Sequence, residues 1–176
     1  ARASELCSEL VARSTGAERR YVHGEDVEKR ANARALHEGR GRSAVCDVRV
    51  PRALLAQQLR VTPEDLVAIH ASYQLGFARI GTHNGLVQAA NGLAAVFLAC
   101  GQDVAYVTES ATGFLELART PEGDLYASAH LPSLLVGTVG GGTGQGTAAE
   151  CLDVLGVRGA GGANLFAELL AATVLA

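Results

Sequence analysis

Five glycines within seven consecutive positions, 140–146, form the clearest chemical feature of this sequence. They follow a predicted strand and precede a predicted helix, where unhindered backbone N–H groups can approach an anion at the positive end of the helix. The segment lacks the GxxxxGK[ST] spacing of a Walker loop, and GxGxxG occurs nowhere in the chain. We interpret the loop as a nucleotide or phosphate site. The alternative is a tight turn at which two backbone segments cross.

Lys29 is the single lysine among 15 basic residues, the others being arginines. A desolvated ammonium can act as an acid or as a compact electrophile, whereas a guanidinium does not titrate usefully. Lys29 is therefore a candidate catalytic residue. The alternative is a surface ion pair with Glu25, one helical turn earlier.

Three polar residues interrupt or follow an apolar segment: Asn91, Gln102 and Asp103. Buried polar groups are costly without partners, so each of the three should be hydrogen-bonded or should face a ligand. Asp103 also needs a nearby cation, which Lys29 or an arginine would supply. A structural ion pair or a helix cap is the alternative for this carboxylate.

Composition excludes several classes of protein. Apolar residues make up 48% of the 176 residues and the net charge is −3, so neither a disordered chain nor a strong attraction to nucleic acid or a membrane is expected. The four cysteines and five histidines show no metal-binding spacing. The longest apolar stretch, 86–100, is too short and too polar to span a bilayer. We expect a soluble cytoplasmic protein with reduced thiols and no metal.

The hydrophobic pattern predicts an α+β fold in which a buried central helix is surrounded by antiparallel strands and further helices. The predicted helices cover 4–14, 25–37, 51–60, a segment capped by Thr62 with Pro63 at its first position, a buried segment 84–100, a segment 147–156 that a capping box at 147–150 opens, and 164–176. The predicted strands cover 43–50, 104–108, 114–117, 125–130 and 134–139, and a turn at 120–123 joins the third strand to the fourth. The chain opens without Met and its last helix has no stop signal, so we expect a longer native chain.

Several motifs, in this order and spacing, resemble the class I hydroxymethylglutaryl-CoA (HMG-CoA) reductases. They are EGRGRSAVC at 38–46, ACGQD at 99–103, LPS at 131–133, VGTVGGGT at 136–143 and CLDVLG at 151–156. The resemblance extends over about residues 25–176. It implies that residues 1–24 end a small nucleotide-binding domain and that residues 25–176 belong to the large substrate-binding catalytic domain.

The reaction implied by the resemblance is the four-electron reduction of HMG-CoA to mevalonate and CoA, in the mevalonate pathway of isoprenoid synthesis. The implied cofactor is NADPH, although NADH is not excluded. The implied assembly is a homodimer, or a larger oligomer, with active sites shared between subunits.

The resemblance also implies roles for individual residues. Lys29 corresponds to the catalytic lysine that stabilises an oxyanion during hydride transfer, and Asp103 corresponds to the buried catalytic aspartate that holds the lysine charge. The positions assigned to the nicotinamide cofactor are Val139, Gly140 and Gly141. The positions assigned to the substrate are Asn91 and Glu28.

The sequence departs from the family pattern at some catalytic groups. The position of a second, substrate-binding lysine falls near Ser72, where no lysine stands. The general-acid glutamate and the C-terminal histidine of the family are expected beyond the two ends of this chain. Two alternatives therefore stay open: a scaffold that binds a CoA ester or a nucleotide without reductase activity, and an interaction subunit that completes the site of a partner chain.

Overall fold

A computed structural model describes residues 2–18, 20, 33–82 and 84–176. Within these residues, eight helices accompany one three-stranded sheet, which confirms the α+β fold class. The strands are β1 (Arg42–Val50), β2 (Phe114–Arg119) and β3 (Leu125–Leu134). The helices are α1 (Arg2–Thr15), α2 (Ala33–His37), α3 (Arg52–Gln58), α4 (Pro63–Arg79), α5 (Ala89–Ala99), α6 (Val107–Ser110), α7 (Gly146–Val154) and α8 (Ala163–Leu175).

The sheet is antiparallel, with strand order β1-β3-β2. A tight turn joins β2 to β3, because the N–H groups of Gly123 and Asp124 donate to the backbone and side-chain oxygens of Thr120. The predicted turn at 120–123 is thereby confirmed. Burial alternates along β3, and the residues on its buried face are Leu125, Ala127, Ala129 and Leu131. This period of two is what a sheet with one face on the core requires.

The core lies between the buried face of the sheet and α5, α7 and α8. Its largest side chains have no exposed area: Leu93 and Phe97 of α5, Leu152 of α7, and Phe166 and Leu170 of α8. Helix α8 packs against β1, β3 and α5 and so connects the helices to the sheet. Full burial of each such side chain contributes about 1.5–3 kcal/mol.

Helix α5 differs from the predicted buried helix in its start and in its burial. It begins at Ala89 rather than at residue 84. The side chain of Asn84 accepts hydrogen bonds from the N–H groups of Leu86 and Gly113, so it organises a loop that competes with helix formation. Only one face of α5 is buried, and Leu98 on the other face is 69% exposed. The prediction that this helix is buried on all sides is therefore wrong, although its composition is apolar on all sides.

Two predicted strands are wrong. Residues 104–108 form a 3₁₀ turn (Val104–Tyr106) followed by α6, because the Asp103 carboxylate accepts a hydrogen bond from the N–H of Ala105 and caps the turn. Residues 135–139 leave the sheet, since β3 ends at Leu134. The pairing of β1 with β3 has a bulge between Arg42 and Ala44, at this same end of β3.

The predicted capping box at 147–150 is also wrong. Helix α7 begins at Gly146, and its cap residue Gln145 makes no side-chain capping bond. Thr147 therefore lies inside the first turn, and Glu150 lies just after it. The glycine-rich segment before the helix sets its start, because a 3₁₀ turn at Gly141–Gly144 already directs the backbone into α7.

Other helix predictions are confirmed where the structure describes them. Thr62 caps α4 by accepting a hydrogen bond from the N–H of Asp65, and Pro63 occupies the first helical position. Helix α8 begins at Ala163, next to the predicted start. The predicted helix at 25–37 and the predicted domain boundary after residue 24 lie largely or wholly outside the described residues. No helix in the described residues is long and apolar enough to cross a membrane.

An ion network connects the start of α4 to the sheet and to α3. The Glu64 carboxylate lies 2.5 Å from Arg52 Nη2 and 3.5 Å from Arg119 Nη1. Asp124 in the turn before β3 accepts hydrogen bonds from Arg49 Nε and from the backbone N–H of Arg52. The hydrogen bond from Arg52 lowers the pKa of Glu64 to about 2. The folded chain therefore favours the ionised form of this carboxylate.

We expect Glu64→Gln to reduce the acid sensitivity of the fold. Because the pKa of Glu64 is depressed in the folded chain, its stabilising effect is complete above its ordinary pKa and is lost as the pH falls toward 2. The thermal midpoint of the parent chain should therefore fall more between pH 6 and pH 3 than that of the variant. Glu116→Gln, at an exposed position of β2, is the control. Equal pH dependence in the parent and in Glu64→Gln would contradict this role.

Candidate functional site

A cleft of about 450 Å³ lies between the turn that follows α5 and the glycine loop that precedes α7. It contains the predicted catalytic carboxylate Asp103 together with the three predicted cofactor-binding residues. Its wall consists of Gly41, Gly101, Gln102, Asp103, Tyr106, Leu135, Val136, Gly137, Val139, Gly140, Gly141, Gly142 and Thr143. Segments distant in the sequence thus meet in one concave site, which is the usual form of a small-molecule site.

Asp103 stands at the cleft as the cap of the 3₁₀ turn Val104–Tyr106. One carboxylate oxygen, Oδ1, accepts a hydrogen bond of 3.0 Å from the N–H of Ala105. The residue is exposed, which corrects the expectation of a buried aspartate: it follows α5 at a turn, beyond the buried face of the helix. Within the described part of the chain it forms no ion pair, and Oδ2 is the oxygen that makes no capping bond.

The glycine loop combines both interpretations that the sequence left open. At Gly142 two backbones cross, because a Cβ there would lie 2.6 Å from the carbonyl oxygen of Gly101. Gly140 and Gly141 differ: their φ angles are +78° and +55°, and a Cβ at either would meet nothing within 4 Å. The left-handed conformation favours glycine at these two positions, and the space beside them is open. One part of the loop is therefore a packed crossing, and the other is free to accept a ligand.

Side chains replace the missing sheet partners of residues 135–139. The Gln102 amide is bonded to both backbone groups of Gly137: Nε2 donates to the Gly137 carbonyl and Oε1 accepts from its N–H, each at 2.9 Å. Buried Ser110 accepts a hydrogen bond from the N–H of Leu135. The sequence indicated that Gln102 needed a partner, but only the fold identifies that partner as the segment leading into the glycine loop.

A second anchor holds the same segment from the other side. The hydroxyl of Thr138 donates to the carbonyl of Gly159 at 2.7 Å, and the Gly159 N–H donates to the Thr138 carbonyl at 3.0 Å. Thr143 Oγ1 donates to the carbonyl of Gly140 within the loop itself. Sequence reasoning missed Thr138 and Thr143, since a threonine beside glycines carries no signal for a distant partner.

An aromatic and charged wall borders the cleft at Tyr106. The guanidinium of Arg40 lies 5.3 Å from the centre of the Tyr106 ring and forms two hydrogen bonds, of 2.7 and 3.0 Å, with Glu109. The hydrogen bond with Glu109 raises the pKa of Arg40 above its ordinary value. A bidentate pair of this kind fixes the orientation of both side chains. Arg40 belongs to the motif at 38–46, but the sequence carried no signal for Tyr106 or Glu109 as its partners.

The other predicted site residues are not at this cleft in the described structure. Asn91 is exposed in the first turn of α5, at the end opposite to Asp103, and its amide donates to the side chain of Gln88. Lys29 and Glu28 lie outside the described residues. No group of three metal-ligating side chains occurs among the residues that the structure describes.

Comparison with known proteins places the chain in a family. Residues 2–176 match the family described as hydroxymethylglutaryl-coenzyme A reductase. The chain is 40% identical to the 3-hydroxy-3-methylglutaryl-coenzyme A reductase of Methanothermobacter thermautotrophicus, covering 99% of this chain and 44% of that protein. It is 42% identical to the reductase of the same name from Halobacterium salinarum, covering 99% of this chain and 44% of that protein.

A further relative, somewhat less similar, matches about four fifths of the chain. The chain is 38% identical to the 3-hydroxy-3-methylglutaryl-coenzyme A reductase of Blattella germanica, over 79% of this chain and 17% of that protein. The chain thus spans less than half the length of each of these curated relatives. Because the match covers residues 2–176, the chain belongs to the hydroxymethylglutaryl-coenzyme A reductase family.

Proposed function

We propose that this chain forms the large, substrate-binding part of an NADPH-dependent HMG-CoA reductase, which reduces HMG-CoA to mevalonate and CoA. Residues 1–24 would end the small nucleotide-binding domain, and residues 25–176 would belong to the large domain. The observation that supports this most strongly is the juxtaposition of Asp103 with Gly140 and Gly141 in one cleft of a chain from this family. A carboxylate beside an open glycine loop combines a charge for catalysis with a backbone surface for a cofactor.

The glycine loop fits a nicotinamide cofactor. Gly140 and Gly141 present backbone with no side chain, and the positions where a Cβ would stand are open. Val139, which is 66% exposed, adds an apolar surface of the kind that a flat ring can contact. These three residues would hold the cofactor. When bound, the cofactor supplies the hydride, and the protein orients it.

Asp103 would act through its charge. Oδ1 is used in capping the turn, so the carboxylate has a fixed position, while Oδ2 makes no capping bond. We assign Oδ2 the role of holding the Lys29 ammonium beside the reacting carbonyl of the substrate. The ammonium would stabilise negative charge on the carbonyl oxygen and donate a proton to it, which is preorganised electrostatic stabilisation. Asn91 and Glu28 would orient the HMG group.

The chemistry balances as two successive two-electron reductions. HMG-CoA, two NADPH and two protons give mevalonate, CoA and two NADP⁺. In the first reduction the thioester carbonyl would gain a hydride, and its carbon–sulfur bond would break so that CoA leaves with a proton. In the second the resulting aldehyde would gain a hydride, and its oxygen would take the second proton. A group at the carbonyl oxygen is therefore needed twice, and this is the position proposed for Lys29.

The proposal includes a homodimer or a larger oligomer in the cytoplasm. The side chains of Leu98 and Val154 are 69% and 87% exposed, and the apolar surface of α5, α7 and α8 forms an open cleft of about 560 Å³. Covering apolar surface of this kind is what association between subunits accomplishes.

The first test is an activity measurement on the protein as purified, with its mass verified. NADPH and HMG-CoA are mixed with the protein, and the loss of nicotinamide absorbance and the formation of mevalonate are followed. We expect consumption that depends on HMG-CoA, with two NADPH used for each mevalonate. A parallel reaction with NADH decides the cofactor. Binding of HMG-CoA or NADPH without turnover would instead mean that the chain is a fragment of a reductase or a scaffold without reductase activity.

A further inference from the structure

The turn after α5 is joined at two points to the glycine loop and to the segment that leads into it. At the first, the backbones of Gly101 and Gly142 cross. A Cβ on Gly101 would lie 2.5 Å from the carbonyl oxygen of Gly142, and a Cβ on Gly142 would lie 2.6 Å from the carbonyl oxygen of Gly101. At the second, the Gln102 amide bonds to both backbone groups of Gly137. The two contacts involve consecutive residues on one side, Gly101 and Gln102, and Asp103 follows directly.

The Gln102 side chain uses its full donor capacity in this position. Both amide hydrogens are donated, one to the carbonyl of Cys100 and one to that of Gly137, each at 2.9 Å. Its carbonyl oxygen accepts from the Gly137 N–H at 2.9 Å. An amide is the only ordinary side chain that supplies two donors and an acceptor in this arrangement. A carboxylate, a hydroxyl or an apolar side chain would leave backbone groups without partners.

We propose that Gln102 is a positioning residue of the reductase site: its amide holds the glycine loop at a fixed place relative to Asp103. The inference rests on the proposed function, because it concerns the same cleft. Without Gln102, the N–H and C=O of Gly137 lose their partners, and residues 135–139 already lie outside the sheet. The loop would then move relative to the Asp103 carboxylate, and the distance between the bound cofactor and this carboxylate would no longer be fixed.

The test compares Gln102→Leu and Gln102→Glu with the parent chain. Leucine removes all three hydrogen bonds, so amide hydrogen exchange at Gly137 should accelerate at least about tenfold, and kcat/KM for NADPH should fall about tenfold or more. The KM for NADPH should rise while exchange in β3 and α5 stays close to that of the parent. Exchange in those elements separates a local loosening of the loop from general destabilisation.

Gln102→Glu supplies a pH-dependent signature. The ionised carboxylate still accepts from the Gly137 N–H, but it faces the carbonyls of Cys100 and Gly137 with no hydrogen to donate. Protonation restores one donor, and the two facing carbonyls favour the protonated carboxyl, so kcat/KM relative to the parent should recover severalfold as the pH falls from 7 to 5. Gln57→Glu on α3, at an exposed position outside the cleft, is the matched control and should follow the parent at each pH.

Each result decides the inference. Parent-like exchange at Gly137 in Gln102→Leu would show that the Gln102 amide does not hold Gly137 in place. Accelerated exchange with an unchanged KM for NADPH would show that Gln102 does not position the loop for the cofactor. Gln102→Glu that stays impaired to the same degree at all pH values would also count against it. If the parent chain neither binds nor consumes NADPH, the proposed function is rejected, and the exchange measurement on Gln102→Leu still decides whether Gln102 orders the loop.

Discussion

Gly142→Ala is expected to destabilise the fold by about 3 kcal/mol, near the upper end of the usual cost of overpacking. A Cβ at this position would lie 2.6 Å from the carbonyl oxygen of Gly101 and 3.4 Å from its Cα. Both are backbone atoms, so no side chain can rotate away to make room. The main-chain crossing itself would have to open. For a domain of this size the thermal midpoint should fall by about 6–12 °C, as measured by circular dichroism.

Gly101→Ala tests the same crossing from its other side and adds a conformational cost. The φ angle of Gly101 is +62°, and a Cβ there would lie 2.5 Å from the carbonyl oxygen of Gly142. An alanine is strained in the left-handed region by about 1–2 kcal/mol before any clash is counted. Gly101→Ala should therefore destabilise the chain at least as much as Gly142→Ala.

Gly144→Ala is the matched control for both variants. It lies in the same loop, its φ is not in the left-handed region, and a Cβ there would meet nothing within 4 Å. Its substitution should change stability by less than about 0.5 kcal/mol. If Gly142→Ala unfolds at the same temperature as Gly144→Ala, the crossing does not constrain the loop, and the positional argument for the cleft fails with it.

The elements that sequence reasoning predicted correctly are those whose signals are local. The strand at 125–130, the cap at Thr62 with Pro63 after it, and the turn at 120–123 each depend on residues within a few positions of one another. Such signals are complete in the sequence, because neither the period of a strand nor the geometry of a cap requires a distant partner.

The wrong predictions concern segments whose conformation depends on hydrogen-bond partners outside the segment itself. Residues 134–139 read as a strand because their valines and leucines suit a sheet, yet Gln102, Ser110 and Gly159 supply their hydrogen bonds instead. Residues 104–108 read as a strand for the same reason, but the carboxylate of Asp103 starts a 3₁₀ turn there. Propensity toward β structure reports a half-buried environment, which only the fold provides.

The candidate site was predicted in part. The sequence analysis selected Asp103 and the glycine loop separately, and the structure brings them into one cleft. It also selected Gln102 as a polar side chain in need of a partner. It did not indicate Tyr106 or Thr138, whose positions depend on the packing of α6 and on the connection between α7 and α8. The burial expected for Asp103 is wrong, because the residue lies beyond the end of α5.

Asp103→Asn is expected to lower kcat by at least about a hundredfold with little effect on the fold. Asparagine caps helical turns as well as aspartate does, and its Oδ1 can still accept the hydrogen bond from the N–H of Ala105. The substitution thus removes the charge while keeping the local structure. A thermal midpoint close to that of the parent, together with a large loss of mevalonate formation, would show that the charge itself is needed. Asp47→Asn, at an exposed position on β1, controls for the loss of one acidic group.

Lys29→Ala should abolish reduction, because the proposed mechanism needs an ammonium at the carbonyl oxygen in both hydride transfers. Lys29→Arg should also fail to restore more than a small fraction of the rate, since a guanidinium keeps the charge but does not release a proton near neutral pH. The double variant Lys29→Ala/Asp103→Asn should be no slower than Lys29→Ala alone, because Asp103 is proposed to act through Lys29. Near-normal turnover in Lys29→Ala would remove the catalytic role of this lysine. Losses that multiply in the double variant would show instead that the two residues act independently, and that the carboxylate serves the reaction without holding the ammonium.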